Sequence, residues 1–375
     1  MAEAKGHCDP RFSELQTLLK RNVESGDELG ASICVNLDGK DIVDIWAGYT
    51  EPSRTTLWDK NTIVNVWSTT KTVTSLAAFM LVERGLLDLE ENVAKYWPEF
   101  AANGKENVKV KHILSHTSGL SGWEEKAPLW TPGTRSGYHA MTMGHLVSGV
   151  VKRITGKSLK DFVAEEIAGP LKADFQFGAK EEDWGRIATL VPPPPPPKRN
   201  VSRDSVLYKT FTNPVTVAKI VYTPSWRKAD LGAANGHANA RSVARMLSPI
   251  SLGGKVEGLE KPLLSPKTID LIFNEQFFGQ DLVIGEEGPL KWGTGFGLAG
   301  PGTIHSWMPA GRVCFWSGWG GSCVIMDVDR RLTIAYTMNK MDLGTLGGPR
   351  THSYVKAVYR ALGVPLSDET PVAKI

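Results

Sequence analysis

The sequence predicts a mixed α/β (α+β) protein: an antiparallel sheet drawn from both chain ends, flanked by helices, with a mainly helical unit inserted between them. Three observations predict it. The chain opens on a helical pattern followed by a hairpin pattern, its middle is helical and rich in loops, and after Trp292 it alternates as strands before closing on a helix. On this reading residues 11–75 and 290–375 form the sheet domain, and residues 76–289 the helical insertion.

Each element follows from its own residues. Arg11 to Val23 places Phe12, Leu15, Leu18 and Leu19 on one helical face. Two β-rich runs, Ala31 to Leu37 and Asp41 to Gly48, flank Asp38-Gly39, a pair suited to a two-residue hairpin turn. Apolar residues at helical spacing run from Thr72 to Arg84, and Gly85 stands at the expected C-terminal cap. Thr142 to Ile154 and Leu159 to Ile167 read as helices bounded by glycine, and a glycine-rich loop from Gly232 leads into a helix at Ala240 to Met246. Pro192 to Pro197 fits neither a helix nor a central strand, so a stiff polyproline surface loop is expected there. Arg312 to Ser317, Ser322 to Asp327 and Leu332 to Met338 read as strands, and Thr351 to Leu362 as the closing helix.

Composition narrows the function. The chain has 375 residues, 41% hydrophobic and 22% charged, which suits a globular protein of two packed units. A net charge of +3 without a basic block argues against nucleic-acid or membrane-surface partners. The N-terminus lacks the apolar core of a secretory signal, and no stretch of ~18 apolar residues occurs. Cys8, Cys34, Cys314 and Cys323 show no metal-ligand spacing, which points to free thiols in a reducing, cytoplasmic setting. His112 and His116 are four apart but lack a third ligand nearby, so neither a metal nor another cofactor is expected.

The chemistry concentrates at Ser68-Thr69-Thr70-Lys71. In a helix, residues three apart share a face, so the lysine ammonium would lie beside the serine hydroxyl. A serine there is often only a cap. Beside a lysine desolvated enough to lose its proton, it becomes an activated nucleophile. No Gly-x-Ser-x-Gly elbow exists, which excludes the α/β-hydrolase arrangement.

Further motifs follow in order: Leu114-Ser115-His116-Thr117-Ser118-Gly119-Leu120, then Pro132-Gly133 with Tyr138, then Trp319-Gly320-Gly321. The set resembles the serine β-lactamase-related superfamily of class C β-lactamases and penicillin-binding proteins. Within it, the chain looks most like family VIII carboxylesterases and the fungal acyltransferases of statin assembly. The resemblance spans Arg11 to Leu362 and is weak between Leu171 and Asp230. It implies a β-lactamase/transpeptidase-like fold and a Ser68 nucleophile, with Lys71 and Tyr138 as the acid/base pair. It also implies an oxyanion hole from the backbone N–H groups of Ser68 and Ser322, with Trp319, Gly320 and Gly321 lining the substrate side. His116 is expected to order its turn.

Two departures from the β-lactamase pattern set the substrate expectation. Trp319 stands where β-lactamases carry a lysine that binds a substrate carboxylate, and Ala140 stands where they carry an asparagine. Both changes favour neutral, apolar small-molecule esters over anionic amides. Trp67, Trp123, Trp130, Trp292, Trp316 and Trp319 suggest a bulky or aromatic substrate. Ester hydrolysis is the leading reading and acyl transfer to a small-molecule alcohol the runner-up. β-Lactamase or peptidase activity and a non-catalytic binding role follow.

Overall fold

The hairpin shows how local chemistry becomes architecture. Asp38 and Gly39 take φ of 51° and 86°, the left-handed pair a tight two-residue turn requires. They join strands β2 (Gly30–Leu37) and β3 (Lys40–Gly48) in antiparallel register, Ile33 facing Ile45 and Val35 facing Val43. The structure, a computed structural model, describes residues 3–123, 126–195 and 200–366.

Around this hairpin the described residues build a nine-stranded antiparallel sheet. Its other members are β1 (Lys5–Cys8), β4 (Phe277–Gly279), β5 (Leu290–Trp292), β6 (Gly297–Leu298), β7 (Val313–Ser317), β8 (Cys323–Asp327) and β9 (Leu332–Met338). The spatial order is β1-β3-β2-β9-β8-β7-β6-β5-β4. The two chain ends therefore meet in mid-sheet, where β9 pairs with β2 from Leu332–Leu37 to Met338–Ala31. β1 and β4 lie outside the ranges that the alternation marked for the sheet. Both are edge strands of three or four residues, too short to show a period.

β7, β8 and β9 are buried at every position, which identifies them as central strands covered on both faces. Helices α1 (Ser13–Ser25) and α5 (Pro349–Ala361) pack together, and α1 lies against β3. Helix α2 (Thr70–Glu83) contacts β7, and α4 (Ala240–Ser251) packs on β2, β8 and β9. Helix α3 (Thr142–Thr155) packs against α2. The expected helix from Leu159 to Ile167 begins as α-helix at Leu159–Val163 and widens to a π turn at Ala164–Ala168. Of the polyproline stretch, Pro192 to Pro195 form no regular element, and Pro196 and Pro197 lie outside the described residues.

α2 is the helix on which the site depends. Every residue from Thr70 to Leu81 is buried, so it runs through the interior, wet on no side. Its buried polar groups are satisfied locally. The Thr72 hydroxyl donates to Thr69 O at 2.7 Å, Thr74 to Gly232 O at 2.6 Å, and Ser75 to Gly295 O at 2.9 Å. Cys34, Cys314 and Cys323 are buried free thiols, and Cys8 is a half-buried one.

Candidate active site

The turn that carries Ser68 is held from two sides. The short strand Val64–Asn65 pairs with Gly236–Ala238, and the Val66 N–H donates to Gly236 O at 2.8 Å. Trp67 then takes φ of 46°, a left-handed conformation that a bulky residue keeps only when its surroundings enforce it. A 3-10 turn at Trp67–Thr69 follows and runs into α2. Ser68 therefore sits in the first turn of the helix, where backbone N–H groups lack intrahelical acceptors and the dipole favours negative charge.

Ser68 does not cap this helix. Its Oγ instead lies 3.0 Å from Lys71 Nζ. Lys71 is 2% exposed, and its other two partners are the carbonyls of Ala140 and Ala233, each at 2.8 Å. Among the described residues no carboxylate stands with its partners, and burial holds its pKa well below that of an ordinary lysine. The Ala233 carbonyl reaches Lys71 because α3 approaches the 232–234 turn closely. A Cβ on Gly144 would lie 2.2 Å from Ala233 N, so only glycine fits there.

Tyr138 reaches the site from the opposite side. Its ring lies 4.9 Å from Lys71 Nζ, and the neighbouring Ser68 hydroxyl works against the rise in its phenol pKa. Burial pushes that pKa well up, against Ser68 and the Trp316 bond, and the Asp281 charge adds to the rise. Ala140, two residues on, contributes its carbonyl to Lys71 rather than a side chain. Tyr138 is held at its backbone by Asp281, a residue the sequence motifs do not mark.

His116 orders the turn. It takes φ of 61°, its Nδ1 accepts the His139 N–H at 3.2 Å, and its ring meets Tyr138 edge-on at 4.8 Å. Burial first, then His139 and Lys71, hold its pKa well below the usual value, so it is neutral. His139 donates Nδ1–H to Gly137 O at 2.6 Å, which leaves Nε2 to accept from the Ser118 hydroxyl.

The third motif shares its end of the site with a second tryptophan on the preceding strand. The indole that meets the Tyr138 hydroxyl belongs to Trp316, whose Nε1–H donates to it at 3.3 Å. Trp319 packs its ring on Trp67 at 5.1 Å, and Trp226 covers Trp67 at 5.5 Å. The strand explains the division. β7 ends at Ser317, so Trp316 projects from a fixed strand position, while Trp319 and Gly320 sit in the turn beyond it. Gly318 is the closest approach: a Cβ there would lie 2.2 Å from Val66 O. Ser322 backs the Ser68 turn, its hydroxyl donating to Val66 O at 2.8 Å with Thr69 Oγ1 at 3.0 Å. Gly321 holds α5 through its carbonyl, which accepts from Thr351 Oγ1 at 2.8 Å. Gly320 donates its N–H to Gly344 O at 3.0 Å.

Of the other tryptophans, Trp292 stacks near Tyr138 and Trp316, Trp130 donates to Thr117 O, and Trp123 is 44% exposed. Trp226 and Asp281 carry no motif and were legible only through the fold. Among the described residues no group of three or more metal-ligating side chains occurs, and no helix is long and apolar enough to cross a membrane.

A sheet closed by both chain ends, a serine at the start of a buried helix, a lysine one turn on and a facing tyrosine define the class of serine β-lactamases and penicillin-binding proteins. The chain belongs to the Beta-lactamase family, whose model matches residues 15–358. It is 32% identical over 282 residues to Esterase/beta-lactamase LipL of Mycobacterium tuberculosis, covering 68% of this chain and 66%, just under two thirds, of that protein. The crystal structure of a family VIII carboxylesterase superposes with a TM-score of 0.88 at 33% identity, over 96% of this chain and 100% of the other. Simvastatin synthase (LovD) of Aspergillus terreus matches at a TM-score of 0.71 and 17% identity, over 95% of this chain and 98% of that one, a likeness of fold alone.

Proposed function

We propose that this protein is a serine carboxylesterase that cleaves a neutral small-molecule ester through an acyl-enzyme on Ser68. One observation carries the reading: Lys71 is buried without a carboxylate partner among the described residues and lies 3.0 Å from Ser68 Oγ, and the bonds around it and Tyr138 have fixed directions. Trp316 Nε1–H can only donate, so the Tyr138 oxygen accepts from it and its own proton is left for another partner. Around Lys71, the carbonyls of Ala140 and Ala233 can only accept. A neutral Lys71 gives them its two N–H groups and aims its lone pair at the Ser68 hydroxyl. These bond directions and the buried nitrogen together favour Lys71 as the base and Tyr138 as the acid.

The steps follow from these roles. Lys71 takes the Ser68 proton as Oγ bonds to the ester carbonyl carbon. The carbonyl oxygen gains negative charge between the Ser68 and Ser322 N–H groups, since the N–H groups of Gly318, Gly320 and Gly321 already donate to backbone carbonyls. The C–O bond to the alcohol breaks, and the departing oxygen takes a proton from Tyr138, which is replenished from the Lys71 ammonium through the hydrogen-bonded site. Water then attacks the acyl-enzyme by the reverse proton path and releases the acid. An alcohol in place of water gives acyl transfer with the same residues.

The walls support an ester. Trp316 occupies the position beside Tyr138 with a neutral ring, and Trp67, Trp226 and Trp319 add apolar surface. The name of LipL couples esterase with β-lactamase, which makes nitrocefin the control substrate.

Labelling with a fluorophosphonate probe tests the nucleophile: the parent protein labels and Ser68→Ala does not. Equal labelling of both would remove Ser68 from the reaction. Turnover of para-nitrophenyl esters faster than nitrocefin is expected, and the reverse order would overturn the substrate class. Adding an alcohol acceptor separates hydrolysis from transfer by whether a new ester accumulates beside the free acid.

A further inference from the structure

Asp281 lies in the loop between β4 and β5, far in sequence from every motif, and it is 3% exposed. It is a fully buried carboxylate, held among the described residues by N–H and O–H groups rather than by a cation. Oδ1 accepts from the backbone N–H of Tyr138 at 3.0 Å, Val283 at 2.8 Å and Ile284 at 3.0 Å. Oδ2 accepts from the Ser136 hydroxyl. The grip is reciprocal, since the Leu282 N–H donates to Ser136 O at 2.9 Å. One side chain thus organises its own turn and clasps both sides of the loop that presents Tyr138.

A buried carboxylate is an expensive choice for a merely structural clasp. An asparagine oxygen accepts the same backbone N–H bonds without the desolvation penalty of a charge. The charge has a target. It lies beside Tyr138 and opposes ionisation of that phenol, which keeps the proton on the residue read above as the acid.

We propose that Asp281 is a positioning residue for the reaction: it fixes the Tyr138 loop over Ser68 through paired backbone and hydroxyl bonds, and acts on catalysis only through Tyr138. The inference rests on the reading of Tyr138 as the acid. It predicts that Asp281 and Tyr138 behave as one unit, in which the loss of either removes most of what the other contributes.

The test is a double-mutant cycle on kcat and KM for a para-nitrophenyl ester, with Asp281→Asn, Tyr138→Phe and the pair, each checked for folding by thermal denaturation. Asparagine keeps the acceptor at Oδ1 and the volume, so the fold is retained. Asp281→Asn is expected to lower kcat roughly 10-fold with KM nearly unchanged, and to have no further effect on a Tyr138→Phe background. An equal loss on both backgrounds marks a general structural role and overturns the proposal, as does no loss on either. Ser136→Ala removes only the Oδ2 contact, and a smaller kcat loss that likewise vanishes on the Tyr138→Phe background supports the clasp. If Tyr138→Phe itself leaves kcat intact, it is the reading of Tyr138 that fails, a result distinct from the failure of Asp281 alone.

Discussion

Two buried basic side chains in this protein show what a counter-ion decides. Arg350, on α5, is 9% exposed and meets Glu28 Oε2 at 2.6 Å. It also donates to the carbonyls of Asp27 at 2.9 Å and Lys340 at 2.8 Å, and pairs with Asp342. The Tyr336 and Tyr354 hydroxyls donate to the same Glu28 carboxylate. This cluster ties the loop after α1 to β9 and α5, stapling the two chain ends. Lys71 is just as buried, but its partners are a hydroxyl and two carbonyls. Pairing keeps the Arg350 charge in place and makes the cluster structural. At Lys71, where the described residues offer no such partner, burial holds the pKa well below the ordinary value and loosens the hold on the proton, as the proposed role of base requires.

The comparison can be broken at either pole. The largest effect belongs to the reactive one: Ser68→Ala is expected to lower kcat at least ~10³-fold, and Lys71→Met at least ~10²-fold, with folding retained by thermal denaturation. An active Lys71→Met enzyme would remove the base from the proposed mechanism. Next, Arg350→Met is expected to destabilise the fold by about 3 kcal/mol, the low end for a broken buried pair because Glu28 can then take up a proton. Chemical denaturation measures this, and the folded fraction should turn over ester at the parent rate. A loss of turnover without a loss of stability would place Arg350 in the site instead.

A smaller effect separates the tryptophans. Trp316→Lys restores a cation beside Tyr138 and is expected to improve kcat/KM for a carboxylate-bearing ester relative to a neutral one by roughly 10-fold. Trp319→Lys, placed in the turn, should change that ratio less. The reverse ranking would return the third-motif position to Trp319.

The smallest effect is in pH, and the two poles carry opposite signs. The folded pKa of Lys71 lies well below the ordinary 10.5, so the unfolded chain binds the extra proton between those values and stability rises with pH there. The same depression means that kcat/KM falls as pH drops through the folded pKa, because the ammonium has no lone pair. Burial raises Glu28 from its ordinary 4.5 to about 7, against the pull of Arg350 and the two phenols. The folded state then holds the extra proton, so this contribution to stability is full below 4.5 and is lost as pH rises through about 7. Thermal unfolding across pH should lose the first slope in Lys71→Met and the second in Glu28→Gln. An unchanged slope in either variant would show that another group titrates.

What was legible in the sequence was local. The hairpin at Asp38-Gly39 follows from two residues that tolerate positive φ, and the pairing of Ser68 with Lys71 follows from the helical repeat. The alternation of β9 located the strand that closes the sheet, although β9 proved buried on both faces and so depends on the helices that cover it. The edge strands β1 and β4 escaped notice because three or four residues carry no period.

Tertiary structure decided the rest of the site, because its members touch across long sequence separations. Lys71 meets the carbonyl of Ala233, Tyr138 meets the indole of Trp316, and Asp281 grips Tyr138 from the far edge of the sheet. A carbonyl has no side-chain signature, and an aspartate that accepts backbone N–H groups resembles any other aspartate until the chain brings the loops together. The sequence by itself determined which groups could react. Burial, and the absence of a carboxylate from Lys71's partners among the described residues, decided which way its pKa moves, and both are properties of packing rather than of any residue.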